Sequence, residues 1–321
     1  MSFGYTVLGF GGGGVTAADI SYGNRGLYAA GGRQFSGGQP TYIKAIDYVA
    51  IDTTGNASDF GDAGFNTYYG TGCAGGGRGL VNMGGYSTGA VATTGSSSIV
   101  DYIEYVTIGT LGNAADFGNL LAGIHIGEAV SDGTRGVRGG GSGQSNVLEY
   151  VTIAATGNAT DFGDLTVGRY GVPACADATR GVWGSGVGGG YNNVMDYITI
   201  QTIGNATDFG DRTIGASYGH GLADDTRGVF GGGEAPARTN VMDYITIQTP
   251  GNATDFGNLA DSKGSAPGVA NGTRGLWGGG WEETAGSVNR IEYITIQTTG
   301  NTTDFGDLTE AKFASGSCSG D

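Results

Sequence analysis

Six similar segments of this sequence each carry one arginine and one carboxylate at matching places, as in "RGVWGSG" from Arg180 and "MDYITI" from Met195. On neighbouring antiparallel strands, such residues can form a charge-assisted pair. The carboxylate shares its run with Val and Ile, so we expect it to be partly buried, and a buried charge needs a partner. The predicted structural pairs are Arg25 with Asp47, Arg78 with Glu104, Arg135 with Glu149, Arg180 with Asp196, Arg227 with Asp243, and Arg274 with Glu292.

A ring of catalytic acids is the alternative interpretation of these carboxylates. All six segments repeat the pair, whereas an enzyme site needs asymmetry. His125 and His220 are the two histidines of the chain, and both fall outside the repeated motifs. No Ser/His/Asp or Cys/His arrangement is therefore expected, and the sequence predicts a protein without enzymatic activity.

The motif "GNATDFGD" places Asn and Asp oxygens in a predicted tight turn. Oxygen ligands suit calcium, but the EF-hand spacing is absent, and Asx turns use the same residues without metal. No cofactor is expected, with calcium as the alternative. Cys73 and Cys175 occupy one repeat position, and Cys318 matches them, which indicates small buried side chains. The Asn-x-Ser/Thr matches read as turns in register, at Asn56, Asn158, Asn205, Asn252 and Asn301.

These residues belong to a repeat with a period of 45 to 57 residues, and such a period indicates a repeat architecture. Each unit contains four runs of strand length bounded by Gly and Asn. The third run alternates, with Met195 and Tyr197 facing one way and Ile198 and Ile200 the other. The sequence predicts four antiparallel strands per unit and very little helix. The landmark phenylalanines are Phe60, Phe117, Phe162, Phe209, Phe256 and Phe305.

The order of features resembles the Kelch repeat, with an apolar strand that ends in two glycines, then an acidic-aromatic strand, then a strand with one large aromatic. The Phe of "DFG" replaces the family's Trp, so the chain looks like a Kelch variant. The resemblance implies one all-β domain, a β-propeller of four-stranded antiparallel blades. Its six expected blades are residues 14–62, 63–119, 120–164, 165–211, 212–258 and 259–307.

Two endings of the ring are open. The strand-like segments at both ends, in residues 1–13 and 308–321, can pair into a rudimentary seventh sector, which would remove an open edge. Alternatively, six blades close alone and the ends contact a neighbouring subunit. The first is favoured.

Aromatic residues on the predicted loops are candidates for recognition, because loops on a rigid scaffold carry binding sites. The alternative is that these rings pack between blades. The candidates are Phe35, Tyr42, Tyr68, Tyr69, Tyr86, Tyr170, Tyr218, His220 and Trp281.

The consensus "TRG…GGG…DYITIQT-x-GNATDFGD" resembles a repeat in virion proteins of tailed phages, especially marine and cyanobacterial ones. This resemblance implies a virion structural protein, a capsid decoration or a tail or fibre component, present in many copies and docked on other virion proteins. A receptor-binding module for host surface glycan is the alternative, and a glycan-degrading enzyme is a weaker one. The formal net charge of −15 argues against nucleic-acid binding, and the lack of a long apolar run argues against membrane insertion.

Overall fold

The computed structural model describes residues 23–36, 39–88 and 98–320. Over these residues the fold is all-β, and neither an α-helix nor any helix able to cross a membrane is found in them. Glycine supplies 69 of the 321 residues, which suits a chain of short strands and tight turns. Six four-stranded antiparallel sheets, numbered I to VI along the chain, form the body of the protein.

Sheets I to III contain the first half of the chain and the C-terminal strand. Within each sheet the four strands are named in their order of pairing, from the first position to the fourth. Sheet I consists of β30 (Gly316–Gly320), β1 (Arg25–Ser36), β2 (Gln39–Ala50) and β3 (Ser58–Asp62); sheet II of β5 (Cys73–Gly75), β6 (Arg78–Val81), β9 (Tyr102–Thr107) and β10 (Ala115–Asn119); sheet III of β11 (Glu128–Ser131), β12 (Arg135–Gly139), β13 (Val147–Thr152) and β14 (Thr160–Asp164).

Sheets IV to VI repeat the same order, and two small sheets lie in the connections. Sheet IV consists of β15 (Ala174–Ala176), β16 (Arg180–Val187), β17 (Tyr191–Thr199) and β18 (Thr207–Asp211); sheet V of β19 (His220–Ala223), β20 (Arg227–Glu234), β21 (Arg238–Thr246) and β22 (Thr254–Asn258); sheet VI of β24 (Gly268–Ala270), β25 (Arg274–Gly278), β28 (Arg290–Thr295) and β29 (Thr303–Asp307). The small sheets are β4 (Thr67–Tyr68), β7 (Gly85–Ser87) and β8 (Ser98–Val100), and β23 (Lys263–Gly264), β26 (Trp281–Glu282) and β27 (Gly286–Ser287).

The first strands of the six sheets are neighbours in cyclic order, because β5, β11, β15, β19, β24 and β30 each contact the next, and β30 contacts β5. Together they line a cavity of about 140 Å³, the central cavity. Six apolar clusters lie between successive sheets, one at each junction, including the junction of sheet VI with sheet I. This arrangement is propeller-like. Each sheet buries both faces, as expected for a repeat that cannot hide its apolar surface alone.

The predicted alternation of the third strand is confirmed in sheet IV. Met195 and Tyr197 pack into the cluster between sheets IV and V, whereas Ile198 and Ile200 pack into the cluster between sheets III and IV. Successive side chains of a strand point to opposite faces, so one strand serves two junctions.

The C-terminal strand completes sheet I, which differs from the favoured expectation of a separate seventh sector. β30 pairs antiparallel with β1, with Leu27 opposite Cys318. β30 occupies the first position of sheet I. The expected first blade, residues 14–62, gave that position to the residues before Arg25, most of which lie outside the described residues. The physical reason is that an unpaired edge of β1 would leave backbone groups without partners, and the segment after Phe305 has the same pattern as the first strand of every other unit.

A cyclic chain of six backbone hydrogen bonds joins the connections that enter the first strands. Each amide donates to the carbonyl of the equivalent residue in a neighbouring unit, at N···O distances of 2.7 to 3.2 Å. All six residues have a positive φ of 54° to 67°, which turns the peptide toward the next unit. This six-residue ring consists of Tyr69, Ile126, Gly171, Tyr218, Ser265 and Ala314.

The glycine of each Arg-Gly motif lies where two sheets approach most closely. A Cβ on Gly228 would lie 2.3 Å from the Sγ of Cys175, on the first strand of the preceding sheet, and Gly79 and Gly136 face Cys318 and Cys73 in the same way. All three cysteines are buried and free. The repeat therefore needs glycine here because the first strand of the preceding sheet fills the space.

We predict that Gly228→Ala lowers the free energy of unfolding by about 1–3 kcal/mol, since overpacking forces shifts in a filled junction. Cys175→Ala in the same chain removes the clashing sulfur, so the double variant should regain part of the loss. Urea denaturation of the two single variants and the double variant measures the coupling. Gly109→Ala is the control, because no atom lies within 4 Å of the added Cβ. Strictly additive effects at Gly228 and Cys175 would contradict this contact.

Candidate functional site

The six repeated arginines do not pair with the six repeated carboxylates, so that prediction is wrong. Arg135 lies opposite Thr152 and Glu149 lies opposite Arg138, so arginine and acid are three positions apart along the ladder. An odd offset places them on opposite faces of the sheet, because side chains alternate along a strand.

The arginines instead bind the neighbouring sheet. Arg180 lies over the ring of Tyr197, at 4.2 Å from its centroid, and donates a 3.0 Å hydrogen bond to the carbonyl of Ile247. The same contacts recur in every sheet and form a cyclic set. The acceptor carbonyls belong to Ile108 for Arg25, Ile153 for Arg78, Ile200 for Arg135, Ile247 for Arg180, Ile296 for Arg227 and Ile51 for Arg274.

The six carboxylates are buried, as expected, but five of them pair with cations other than the arginine that begins each Arg-Gly motif. The partners are Lys312 for Asp47 at 3.0 Å, Arg138 for Glu149 at 3.8 Å, Arg169 for Asp196 at 2.8 Å, Arg212 for Asp243 at 2.9 Å, and Lys263 for Glu292. Sequence reasoning missed these cations because four of them lie in the connections between sheets, outside the Arg-Gly and "DFG" motifs. Three of the four could have been found, because Arg169, Lys263 and Lys312 each follow the Phe of "DFG" by seven residues. In each pair the cation and the carboxylate are both buried, which indicates a structural role.

Glu104 is the exception, because both of its hydrogen-bond donors are neutral groups. Its carboxylate accepts hydrogen bonds from the side chain of Asn82 and the amide of Gly64. Burial raises the pKa of Glu104, and these two hydrogen bonds lower it only in part. For Glu292, burial also raises the pKa, but the charge of Lys263 and the hydrogen bonds from Ala260, Lys263 and Thr302 together outweigh burial, and the net shift of the Glu292 pKa is downward.

The asparagine of the "GN" turn also serves the junctions. In each unit its side-chain oxygen accepts a hydrogen bond of 3.0 to 3.1 Å from a backbone amide at the end of the preceding sheet's fourth strand, as Asn205 does from Asp164. These oxygens are the ones that the calcium alternative would use. Within the described ranges, no group of three or more His, Cys, Asp or Glu residues is arranged to hold a metal ion.

The predicted recognition aromatics gather at the face where the connections enter the first strands. Tyr68 contacts Tyr42, Tyr69 and Tyr86 at centroid distances of 4.9, 4.7 and 5.4 Å. Tyr69 and Tyr170 both contact Tyr218. Tyr42 is buried, so it supports the other rings and is not itself a contact surface. The side chain of Phe35 lies outside the described residues.

Four rings and two charged side chains enclose a cleft of about 300 Å³ at this face. Trp281 meets Phe313 edge to face at 5.0 Å, and Tyr69 and Tyr218 lie 5.8 Å apart. Glu234 and Arg238 face each other across the β20–β21 hairpin and border the cleft. We call this site the aromatic cleft; it is lined by Tyr69, Tyr218, Trp281, Phe313, Glu234 and Arg238.

Desolvation within this aromatic face raises the pKa of Tyr68 and of Tyr218, and the neighbouring tyrosines add to the effect. Their phenols therefore stay protonated at neutral pH and remain able to donate hydrogen bonds. Sequence reasoning did not find Phe313, Glu234 or Arg238. Phe313 could have been found, because it is aligned with Tyr68, His125 and Tyr170 in the repeat.

His220 does not join the aromatic cleft and instead borders the central cavity. Its Nδ1 lies 3.0 Å from an Oε2 of Glu128, and its Nε2 lies 3.3 Å from the hydroxyl of Ser317. The structure thus brings a serine, a histidine and an acid together, an arrangement that the sequence analysis did not expect.

Comparison with known proteins leaves the aromatic cleft and the fold as the guides to function. No protein-family model matches the chain, and no curated protein is significantly similar to it.

We predict that Glu104→Gln leaves the free energy of unfolding at pH 7 unchanged or raises it. The reason is that burial makes the charged carboxylate of Glu104 unfavourable in the native state. A raised native pKa favours folding at low pH and loses that contribution as pH rises. Glu292→Gln should instead lower the free energy of unfolding by about 3–5 kcal/mol, since Lys263 is left buried without a counter-charge.

Denaturant unfolding of both variants at pH 7 and at pH 4 provides the measurement. Any advantage of Glu104→Gln should vanish at low pH, where Glu104 is itself protonated. The loss in Glu292→Gln should shrink as pH falls, because the pKa of Glu292 is lowered in the native state. Equal losses in the two variants at pH 7 would show that Glu104 is as well compensated as Glu292.

Proposed function

We propose that the chain is a six-bladed, Kelch-like β-propeller that acts as a carbohydrate-recognition module. The carrying observation is the aromatic cleft. Its rings offer apolar faces, while Glu234 and Arg238 supply a hydrogen-bond acceptor and a donor. A pyranose ring needs this combination, since it has apolar C–H faces and a rim of hydroxyl groups.

The six-bladed assignment rests on the six sheets, on the cyclic contacts of their first strands and on the six-residue ring. The cleft adjoins this ring, because Tyr69, Tyr218 and Ser265 are members of the ring and also line the cleft. Its volume is at the lower end of the range of about 300–1,000 Å³ that is usual for small-molecule sites. This size suits a terminal sugar of a longer glycan.

The charges of the cleft favour a neutral sugar over an acidic one. Arg238 is paired with Glu283, so a sugar carboxylate would have to displace that partner. The acidic excess of the whole chain repels anions as well. Glu234 lies within 3.4 Å of the hydroxyl of Tyr191, which holds it at the edge of the cleft.

The setting that we propose is the particle of a tailed phage, where the module meets host surface glycan. This part of the proposal rests on the resemblance of the repeat consensus to phage virion proteins. Docking on other virion proteins, with the same face as the contact surface, is the competing role. The aromatic cleft favours glycan because small sugars are bound in concave sites, whereas protein docking surfaces are larger and flatter.

We predict that Trp281→Ala weakens binding of a neutral glycan at least about 30-fold, the usual effect of losing a central aromatic contact. A glycan array identifies the sugar, and calorimetry with that sugar gives the dissociation constants. Ile203→Ala is the matched control, because Ile203 is exposed on the turn between the third and fourth strands of sheet IV, at the other end of the sheet. Its affinity should equal that of the wild type.

Two outcomes would contradict the proposal. Loss of affinity in Ile203→Ala as large as in Trp281→Ala would show that the cleft is not the binding site. No binding to any glycan, together with co-assembly of the chain with purified virion proteins, would favour docking.

A further inference from the structure

At one level of the central cavity, the equivalent residues of the six units differ in type. Two residues after each member of the six-residue ring, the equivalent positions hold Thr71, Glu128, Pro173, His220, Pro267 and Gly316. One residue further, five positions hold glycine or alanine, and the sixth holds Ser317. The polar side chains Thr71, Glu128, His220 and Ser317 come from different sheets, yet they form one connected hydrogen-bond chain.

The geometry of this chain is that of a nucleophile, a base and a positioning acid. The Ser317 hydroxyl lies 3.3 Å from His220 Nε2, and His220 Nδ1 lies 3.0 Å from Glu128 Oε2. When the imidazole is neutral, the Glu128 carboxylate keeps its proton on Nδ1, which leaves the Nε2 lone pair facing the serine. Serine nucleophiles are activated by this arrangement, and the distances are often longer before a substrate binds.

Buried contacts hold both partners of the serine in place. Thr71 donates its hydroxyl to the Glu128 carboxylate. The indole of Trp183 donates to the carbonyl of Glu128 at 3.1 Å, and the indole of Trp277 donates to the carbonyl of His220 at 3.3 Å. Both tryptophans are fully buried. Residues fixed on strands by such supporting contacts keep a reactive geometry better than residues on loops.

We propose that Ser317 is an acyl-accepting nucleophile toward small esters that enter the central cavity. The cavity of about 140 Å³ admits a short acyl group and is bordered by Glu128, His220 and Ser317. The Ser317 hydroxyl also lies 2.9 Å from the carbonyl of Gly268, so a rotation of the hydroxyl hydrogen moves it from that carbonyl to Nε2. The activity is separate from glycan recognition in the aromatic cleft.

The step is balanced without any cofactor. Oγ of Ser317 attacks the ester carbonyl carbon while Nε2 of His220 takes the hydroxyl proton. The bond from carbon to the alkoxy oxygen then breaks, and the imidazolium returns the proton to the departing alcohol. Water, deprotonated by the same Nε2, then attacks the acyl carbon, the bond from that carbon to Oγ breaks, and the imidazolium returns the proton to Oγ as the carboxylic acid leaves.

A fluorophosphonate probe tests the nucleophile directly, since serine attack on phosphorus expels fluoride and leaves a stable serine phosphonate. The probe is incubated with the intact chain, and the labelled peptide is identified by mass spectrometry. We expect one label, on Ser317, and a labelling rate that falls as pH is lowered, because a protonated imidazole accepts no proton. Ile203→Ala should be labelled at the wild-type rate, because Ile203 is exposed and lines neither the central cavity nor the aromatic cleft. The assay contains no glycan, which separates this test from the test of glycan binding.

Ser319→Ala is the matched control, since Ser319 is on the same strand, borders the same cavity and donates to the carbonyl of Ala270, with no imidazole contact shown. It should be labelled as the wild type is, whereas Ser317→Ala should not be labelled, and His220→Gln should react at least tenfold more slowly. Glu128→Gln should also react more slowly, because the imidazole loses the carboxylate that holds its proton on Nδ1.

No label on Ser317 in the folded wild-type chain would overturn the proposal, whatever the variants do. Labelling of Ser317 at the same rate in folded His220→Gln, or labelling of Ser319 instead, would also overturn it. Circular dichroism of each variant confirms that the fold is retained, and the wild-type peptide map decides the question if a variant fails to fold.

Discussion

Neighbouring sheets are joined by backbone groups that no single sheet can satisfy. Each arginine of the Arg-Gly motif donates to a carbonyl of the next sheet, each "GN" asparagine accepts from an amide of the preceding one, and the six-residue ring links all six units. A buried backbone group without a partner costs about 1–3 kcal/mol, so the junctions must form together. This constraint explains why the motif residues repeat so strictly.

Close approach follows from the same constraint. Gly210 has a φ of 137°, and a Cβ there would lie 2.5 Å from the carbonyl of Gly251 in the next unit. Gly228 would clash with Cys175. Glycines such as these two, in the described part of the chain, therefore allow neighbouring units to approach closely. The six carboxylates have a different role, because each one is buried and binds the connection that arrives from the preceding sheet, as Asp243 and Asp47 do.

Functional asymmetry begins where the units depart from the repeat. The connections are the variable parts, and they bring Phe313 to Trp281, and Tyr69 to Tyr218. Glu128 and His220 replace proline or glycine around the central cavity, and they come from sheets III and V, which are not adjacent. A distinct site in a fold of six similar sheets needs such differences between the units, since identical units would present the same surface six times.

The sequence alone was sufficient for the all-β class, the strand order within a unit and the alternation of Met195 with Ile198, because strand periodicity and turn residues are local signals. It also indicated that the repeated carboxylates are buried. It paired them with the wrong arginines, since the pairing depends on a three-residue offset in the ladder that only the register of β12 with β13 reveals. The place of β30 beside β1, the contact of Tyr69 with Tyr218 in the aromatic cleft and the contact of Ser317 with His220 join residues that lie 97 or more positions apart. Such contacts were decided by the tertiary structure alone, because they depend on how the units are arranged around the cavity, and no local pattern encodes that arrangement.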